Sequence, residues 1–129
     1  MTLQHSLGNY LNFLNSIRQE QVSSETAHKI YAKLHLAFIH IHPFSDGNGR
    51  MVRLIANIPL LRFGLPPLLI DQQHRRQYIN LLADYQAQIT APSKPSDLDA
   101  IFQEQKFVQE PFIRFCKSNY VANSLLVSN

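Results

Sequence analysis

Apolar side chains at Leu3, Leu7, Tyr10, Leu11, Leu14 and Ile17 recur at three- and four-residue intervals, a spacing that gathers them on one face of an amphipathic helix. The pattern predicts a first helix ending near Gln19. A second starts where Ser23 or Ser24 can cap it with Glu25 in its first turn, and Ala27, Ile30, Tyr31, Leu34 and Phe38 supply its apolar stripe. Pro43 disfavours helical geometry in the residue before it, so this helix stops by Ile41 or His42 and a loop begins. A third helix is expected from Asn48 or Gly49 through Met51, Leu54, Ile55, Ile58 and Leu61 to about Phe63, with Gly64 as its C-terminal stop and Pro66-Pro67 opposing resumption.

Beyond this point the pattern predicts a fourth helix from about Gln72 to Tyr85, with Tyr78, Leu81 and Leu82 facing inward. A loop follows over 89–97, marked by Thr90-Ala91-Pro92-Ser93-Lys94-Pro95-Ser96. A short helix from Asp97 to about Gln105 and a long one from Glu110 to Leu126, with Pro111 in its first turn, complete the chain. No strand pattern and no internal repeat is visible. The expected fold is an all-α bundle of about six helices in one domain spanning 1–129.

The 129 residues are 45% apolar and 16% charged, enough to bury the core of one soluble globular domain. The net charge of +3 suits phosphate-bearing or acidic partners. Arg75-Arg76 is the only adjacent basic pair, so no nucleic-acid footprint is written into the chain. Cys116 is the single cysteine; it excludes an internal disulfide, fits a reducing compartment and reads as a small buried hydrophobe. Met1 to Tyr10 lacks the basic and apolar regions of a secretory signal. The most apolar stretch, Leu54 to Ile70, is broken by Asn57, Arg62, Gly64 and Pro66-Pro67, which opposes a membrane span. The default location is the cytoplasm, and export by a signal-independent route would leave the same sequence.

The chemistry concentrates in His42-Pro43-Phe44-Ser45-Asp46-Gly47-Asn48-Gly49-Arg50-Met51-Val52-Arg53. A helix starting at Gly-Asn-Gly leaves backbone N–H groups without internal partners at the positive end of its dipole, and such an end binds phosphate. Gly47 and Gly49 let the backbone approach oxygen atoms closely and adopt positive φ, and Asn48 adds an amide donor. Arg50 and Arg53, three residues apart, share a helix face and can fork onto phosphate oxygens. Asp46 offers a hard anionic oxygen, and one carboxylate with substrate phosphates is the usual way of holding Mg2+. His42 is an imidazole able to accept a proton at neutral pH. Together these groups point to a reaction in which a hydroxyl is deprotonated, a phosphorus is attacked and a departing phosphate is stabilised.

His-Pro-Phe-x-Asp-Gly-Asn-Gly-Arg-x-x-Arg resembles the signature of the Fic family at every specified position. For its seven chemistry-bearing positions alone, the base, the carboxylate, two glycines, the amide and two guanidiniums, roughly 5% usage per residue type gives a chance match at one start site with a probability on the order of 10^-9. The likeness extends upstream through Ile41 and downstream through Leu54-Ile55-Ala56-Asn57, Gly64-Leu65-Pro66-Pro67 and Arg75 to Ala83. It implies a Fic-type helical bundle and transfer of AMP from ATP to a Ser, Thr or Tyr hydroxyl of a target protein, releasing pyrophosphate. By the same resemblance His42 is the general base and Asp46 holds Mg2+ against the α- and β-phosphates. Gly47, Asn48 and Gly49 bind phosphate oxygens, Arg50 steadies the leaving pyrophosphate, Arg53 grips the γ-phosphate, and Phe44 anchors the loop in the core. Family members that phosphorylate instead carry lysine where this chain has Gly49. Tyr78 is placed either at the adenine side of the nucleotide or in the core.

Other residues carry less. His35, His40 and His74 read as packing or surface groups, and Arg62 as a surface solvator. Arg75 and Arg76 line the nucleotide pocket or solvate a helix. Histidines at zinc-ligand spacing from His42 are lacking. The family's β-hairpin flap, which docks the target by strand addition, is not found in the residues before His42. Ser16-Ile17-Arg18-Gln19-Glu20-Gln21 approaches the family's inhibitory Ser/Thr-x-x-x-Glu-Gly/Asn helix but ends in Gln, which leaves room for an inhibitory partner. Gln86 and a Pro-containing insertion replace the Asn and Gly-Asp turn of relatives. Two alternatives follow: removal of AMP from a modified protein, with Glu20 engaging Arg53, and an impaired remnant that binds nucleotide or a partner.

Overall fold

A computed structural model describes residues 3–41, 48–88 and 106–127. Six α-helices run through them: α1 (Leu3–Ser16), α2 (Ala27–Ile41), α3 (Asn48–Ala56), α4 (Ile58–Arg62), α5 (Arg75–Gln88) and α6 (Lys106–Val127). Short 3-10 turns occupy Gln19–Gln21 and Gln72–His74, and no strand occurs among the described residues. The all-α bundle expected from the periodicity is the one that forms. The 89–97 loop, the short helix after Asp97, and His42 to Gly47 lie outside the described residues.

Helix α2 is the axis of the bundle. Ser23 opens it: its hydroxyl accepts from Thr26 N–H at 3.3 Å, and Thr26 Oγ1 accepts in return from Ser23 N–H at 2.9 Å. Thr26 thus takes the place that Glu or Gln usually holds in a capping box. Ala27, Tyr31, Ala32, Leu34, His35, Leu36 and Ala37 are all wholly buried, so α2 is enclosed on nearly every side instead of along a stripe. Its neighbours account for this, since α1, α3, α4 and α6 all pack against it, and a helix apolar all round belongs in a core. From α1, the Tyr10 hydroxyl donates to Leu34 O at 2.9 Å, while Leu11 stays exposed.

The continuous third helix expected from Asn48 to Phe63 is instead two helices meeting at Asn57. Pro59 in the first turn of α4 cannot donate the backbone hydrogen bond that would continue α3, and the Asn57 side chain is drawn away to the Leu68 backbone. The buried face also differs from the expected one. Val52, Ala56 and Leu60 are wholly buried, whereas Met51, Leu54 and Leu61 are more than half exposed. With about 100° between successive residues, Gly49, Val52 and Ala56 fall on one side of α3 and Met51 and Leu54 on the other.

Gly64 ends α4 as its position predicts. It has φ +78°, Leu65 N–H donates to Leu60 O at 2.8 Å and Gly64 N–H to Leu61 O at 3.2 Å, the paired bonds of a Schellman cap. A Cβ built on Gly64 meets nothing within 4 Å, so only backbone strain opposes a side chain there. Gly64→Ala is expected to destabilise the fold by about 1 kcal/mol, read as a lower urea midpoint with an unchanged slope.

Helix α5 is entered through a 3-10 turn capped by Asp71, whose carboxylate accepts from His74 N–H at 2.9 Å. The last helix begins earlier than expected, so Pro111 lies inside α6 and not in its first turn. An interior proline costs about 3 kcal/mol or more; here the burial of Phe112, Phe115, Cys116 and Tyr120 just after it offsets that cost. The Tyr120 hydroxyl donates to Pro66 O at 3.0 Å and ties the segment after α4 to α6. No helix among the described residues is long and apolar enough to cross a membrane.

Candidate functional site

The chemistry-bearing residues that the structure describes lie on α3. Asn48 is its first residue, and the N–H groups of this first turn lack helical acceptors and sit at the positive end of the helix dipole. Gly49 is buried and helical. Gly64 is the only residue of positive φ among those described, so Gly49 contributes through its missing side chain and not through a left-handed backbone. One residue on, Arg50 is exposed, and Arg53 is half-buried.

Arg53 is held at both ends. Its carbonyl accepts from Asn57 Nδ2 at 3.2 Å, and its guanidinium carbon lies 5.4 Å from the centre of the Tyr78 ring. The same Asn57 amide clamps Leu68: Oδ1 accepts from Leu68 N–H at 2.7 Å and Nδ2 donates to Leu68 O at 3.0 Å. One side chain therefore fixes the break after α3, the backbone of Arg53 and the segment that leads to α5. Asn57→Ala strands the Leu68 N–H and C=O in a buried site, and unsatisfied groups of that kind cost about 1–3 kcal/mol each. Thermal unfolding should show a loss of about 3 kcal/mol.

Beneath Arg53 sits a buried aromatic cluster. The Tyr78 ring packs near His35, Phe112 and Phe115 at centroid distances of 5.5, 6.2 and 6.4 Å. His35 Nε2 is 2.6 Å from the Tyr78 hydroxyl, and the imidazole also contacts Tyr31 and Phe112 at 5.9 and 5.0 Å. Burial pushes the His35 imidazole down to about 3, with the positive charge of Arg53 acting in the same direction. Burial pushes the Tyr78 phenol up to about 12 against the opposing hydrogen bond and charge of Arg53. Both groups are neutral at pH 7. A guanidinium can only donate, so in the hydrogen bond between Arg53 and Tyr78 the phenol oxygen accepts; with His35 in its Nδ1–H tautomer the phenol proton then goes to Nε2. Arg53 has no carboxylate partner among the described residues, so its charge is available to an anion.

The remaining candidates divide by position. His42, Phe44, Asp46 and Gly47 lie outside the described residues. Tyr78 is in the core, 1% exposed. Arg75 and Arg76 are exposed, and exposed Arg62 donates to Asn15 Oδ1 at 3.3 Å. His74 Nδ1 meets Asp71 at 2.6 Å. Glu20 is exposed on the 3-10 turn after α1 and makes no ion pair among the described residues. Two residues that the sequence presents as plain core or interruption matter here. His35 follows Tyr31 by four residues on α2, which puts the two rings side by side. Asn57 is a polar residue inside an apolar run, the signal that a buried amide has a partner elsewhere.

Residues 2–60 match the model of the Fic/DOC family. The chain is 52% identical over 54 residues to the Protein adenylyltransferase Fic of Aedes aegypti, covering 42% of this chain and 11% of that protein. It is 53% identical over 51 residues to the protein of the same name from Culex quinquefasciatus, 40% of this chain and 10% of that one. Against the Drosophila grimshawi protein of that name it is 43% identical over 70 residues, 54% of this chain and 14% of the relative. The chain thus aligns with only about a tenth of the length of these curated relatives. No solved structure matches it. The match over 2–60 takes in α1, α2, the His42–Arg53 motif and α3, and over that stretch the chain is similar to the Fic/DOC family and to these relatives.

Proposed function

We propose that the chain transfers AMP from Mg-ATP to a serine, threonine or tyrosine hydroxyl of a target protein. The observation that carries this reading is the complete His42-to-Arg53 motif running into a helix, α3, whose Arg53 guanidinium is held at the Tyr78 ring. Relatives named Protein adenylyltransferase Fic support it.

His42 takes the proton of the target hydroxyl, and the freed oxygen attacks the α-phosphorus of ATP. The bond from that phosphorus to the bridging oxygen breaks, and pyrophosphate leaves. The backbone of Gly47 and Gly49 and the amide of Asn48 bind phosphate oxygens. Arg50 steadies the leaving pyrophosphate, and Arg53 holds the terminal phosphate by a charge-assisted fork. Two guanidiniums do not neutralise a triphosphate, and the hard carboxylate of Asp46 beside phosphate oxygens is a donor set suited to Mg2+. When bound there, the ion supplies further charge neutralisation for the leaving group.

The test is incubation with ATP, Mg2+ and a lysate, followed by mass spectrometry for AMP adducts. Adducts that appear with the wild type and not with His42→Ala support the proposal. ATP binding with no adduct on any protein, the chain itself included, overturns it in favour of a nucleotide-binding remnant.

A further inference from the structure

The site residues above are all carried by the motif, but the structure surrounds one of them with groups that the motif does not contain. Arg53 has a long side chain with about 2 kcal/mol of rotamer entropy, and on a helix surface its fork would sample many directions. Here it does not stand free. Its guanidinium lies over Tyr78 of α5, Tyr78 Oη is 2.6 Å from His35 Nε2 of α2, and His35 is wholly enclosed between Tyr31, Tyr78 and Phe112. Three helices therefore meet in one polar line. We propose that Tyr78, oriented by His35, is a positioning residue for Arg53: it holds the guanidinium so that its remaining N–H groups are presented to the terminal phosphate of ATP. This rests on the nucleotide-binding reading above.

The direction of the hydrogen bonds explains why a tyrosine and a histidine stand here. A phenol can accept from Arg53 and donate onward in the same instant, which phenylalanine cannot do. In its Nδ1–H tautomer the neutral His35 supplies the acceptor that fixes the phenolic proton on the far side, leaving the oxygen's lone pairs to the guanidinium. An ion pair would hold Arg53 as firmly, but it would cancel the charge that the phosphate needs. The neutral phenol orients the cation and leaves its charge intact.

The experiment compares ATP and AMP binding by calorimetry in wild type, Tyr78→Phe, Arg53→Ala and the double variant, each checked for its melting temperature. Only ATP carries the terminal phosphate. Tyr78→Phe is expected to weaken ATP about tenfold, the loss of one hydrogen bond to a charged group, with AMP affinity unchanged. In the Arg53→Ala background the same substitution should have no further effect on ATP. His35→Gln, which keeps an acceptor for the phenol, should retain the preference for ATP, and His35→Leu should lose it; these two decide the matter if Tyr78→Phe does not fold. Equal weakening of ATP and AMP, or an effect of Tyr78→Phe that persists without Arg53, marks a purely structural tyrosine and overturns the proposal. Failure of the wild type to bind ATP at all would instead remove the reading on which it rests.

Discussion

His42→Ala is expected to slow AMP transfer by about 10^2–10^4-fold, the usual worth of a positioned general base, and to leave ATP affinity unchanged. The two effects separate because the groups that bind phosphate and the group that takes the proton occupy different parts of the chain. Arg50 and Arg53 stand on α3, and Gly49 is packed into its first turn. His42 directly follows the last residue of α2. Removing the imidazole therefore takes away a proton acceptor while the anion-binding end of α3 keeps its donors. The measurement pairs the rate of adduct formation at saturating ATP with the dissociation constant of ATP. A variant in which rate and affinity fall together would show that His42 binds the nucleotide. Arg53→Ala should give the complementary result, with weaker ATP binding as its main effect.

What the chain discloses before folding, and what it does not, follows from where each interaction closes. The helix start at Ser23 and the stop at Gly64 are legible because their partners are neighbours: Ser23 with Thr26, and Gly64 with the last turn of α4, close within a few residues. The break at Asn57 was hidden because its amide closes on Leu68, eleven residues away, and periodicity alone sees only an apolar run from Met51 to Leu61. The enclosure of α2 was hidden for a similar reason, since a stripe predicts one packed face and four neighbours cover the rest. Within the site, residue types alone point to phosphate chemistry in Gly49, Arg50 and Arg53. Nothing local announced that Arg53 would lie over Tyr78, 25 positions further on, or that His35 would reach the same phenol from 43 positions away. Motif chemistry is written in short range, and the support of that chemistry is written in tertiary contacts.

The fold should also weaken as the solution becomes mildly acidic, and His35 is the reason. Its folded value near 3 arises first from complete burial and then from the nearby charge of Arg53, whereas an unfolded histidine titrates near 6.5. The folded state binds no proton in the interval between those values and the unfolded chain binds one. Stability is thus fully present above about pH 6.5 and declines as the pH falls toward 3, by up to about 1.4 kcal/mol for each pH unit. Over the whole window the loss reaches about 4–5 kcal/mol, comparable with the entire stability of a small domain. His28, lowered by partial burial and by Lys117 and Lys29, acts in the same direction from the surface. Urea midpoints at pH 7, 6 and 5 should fall steadily, and His35→Gln, which cannot take the proton, should flatten the slope by about one proton. A wild type equally stable at pH 7 and pH 5 would mean that the imidazole is not sealed from solvent.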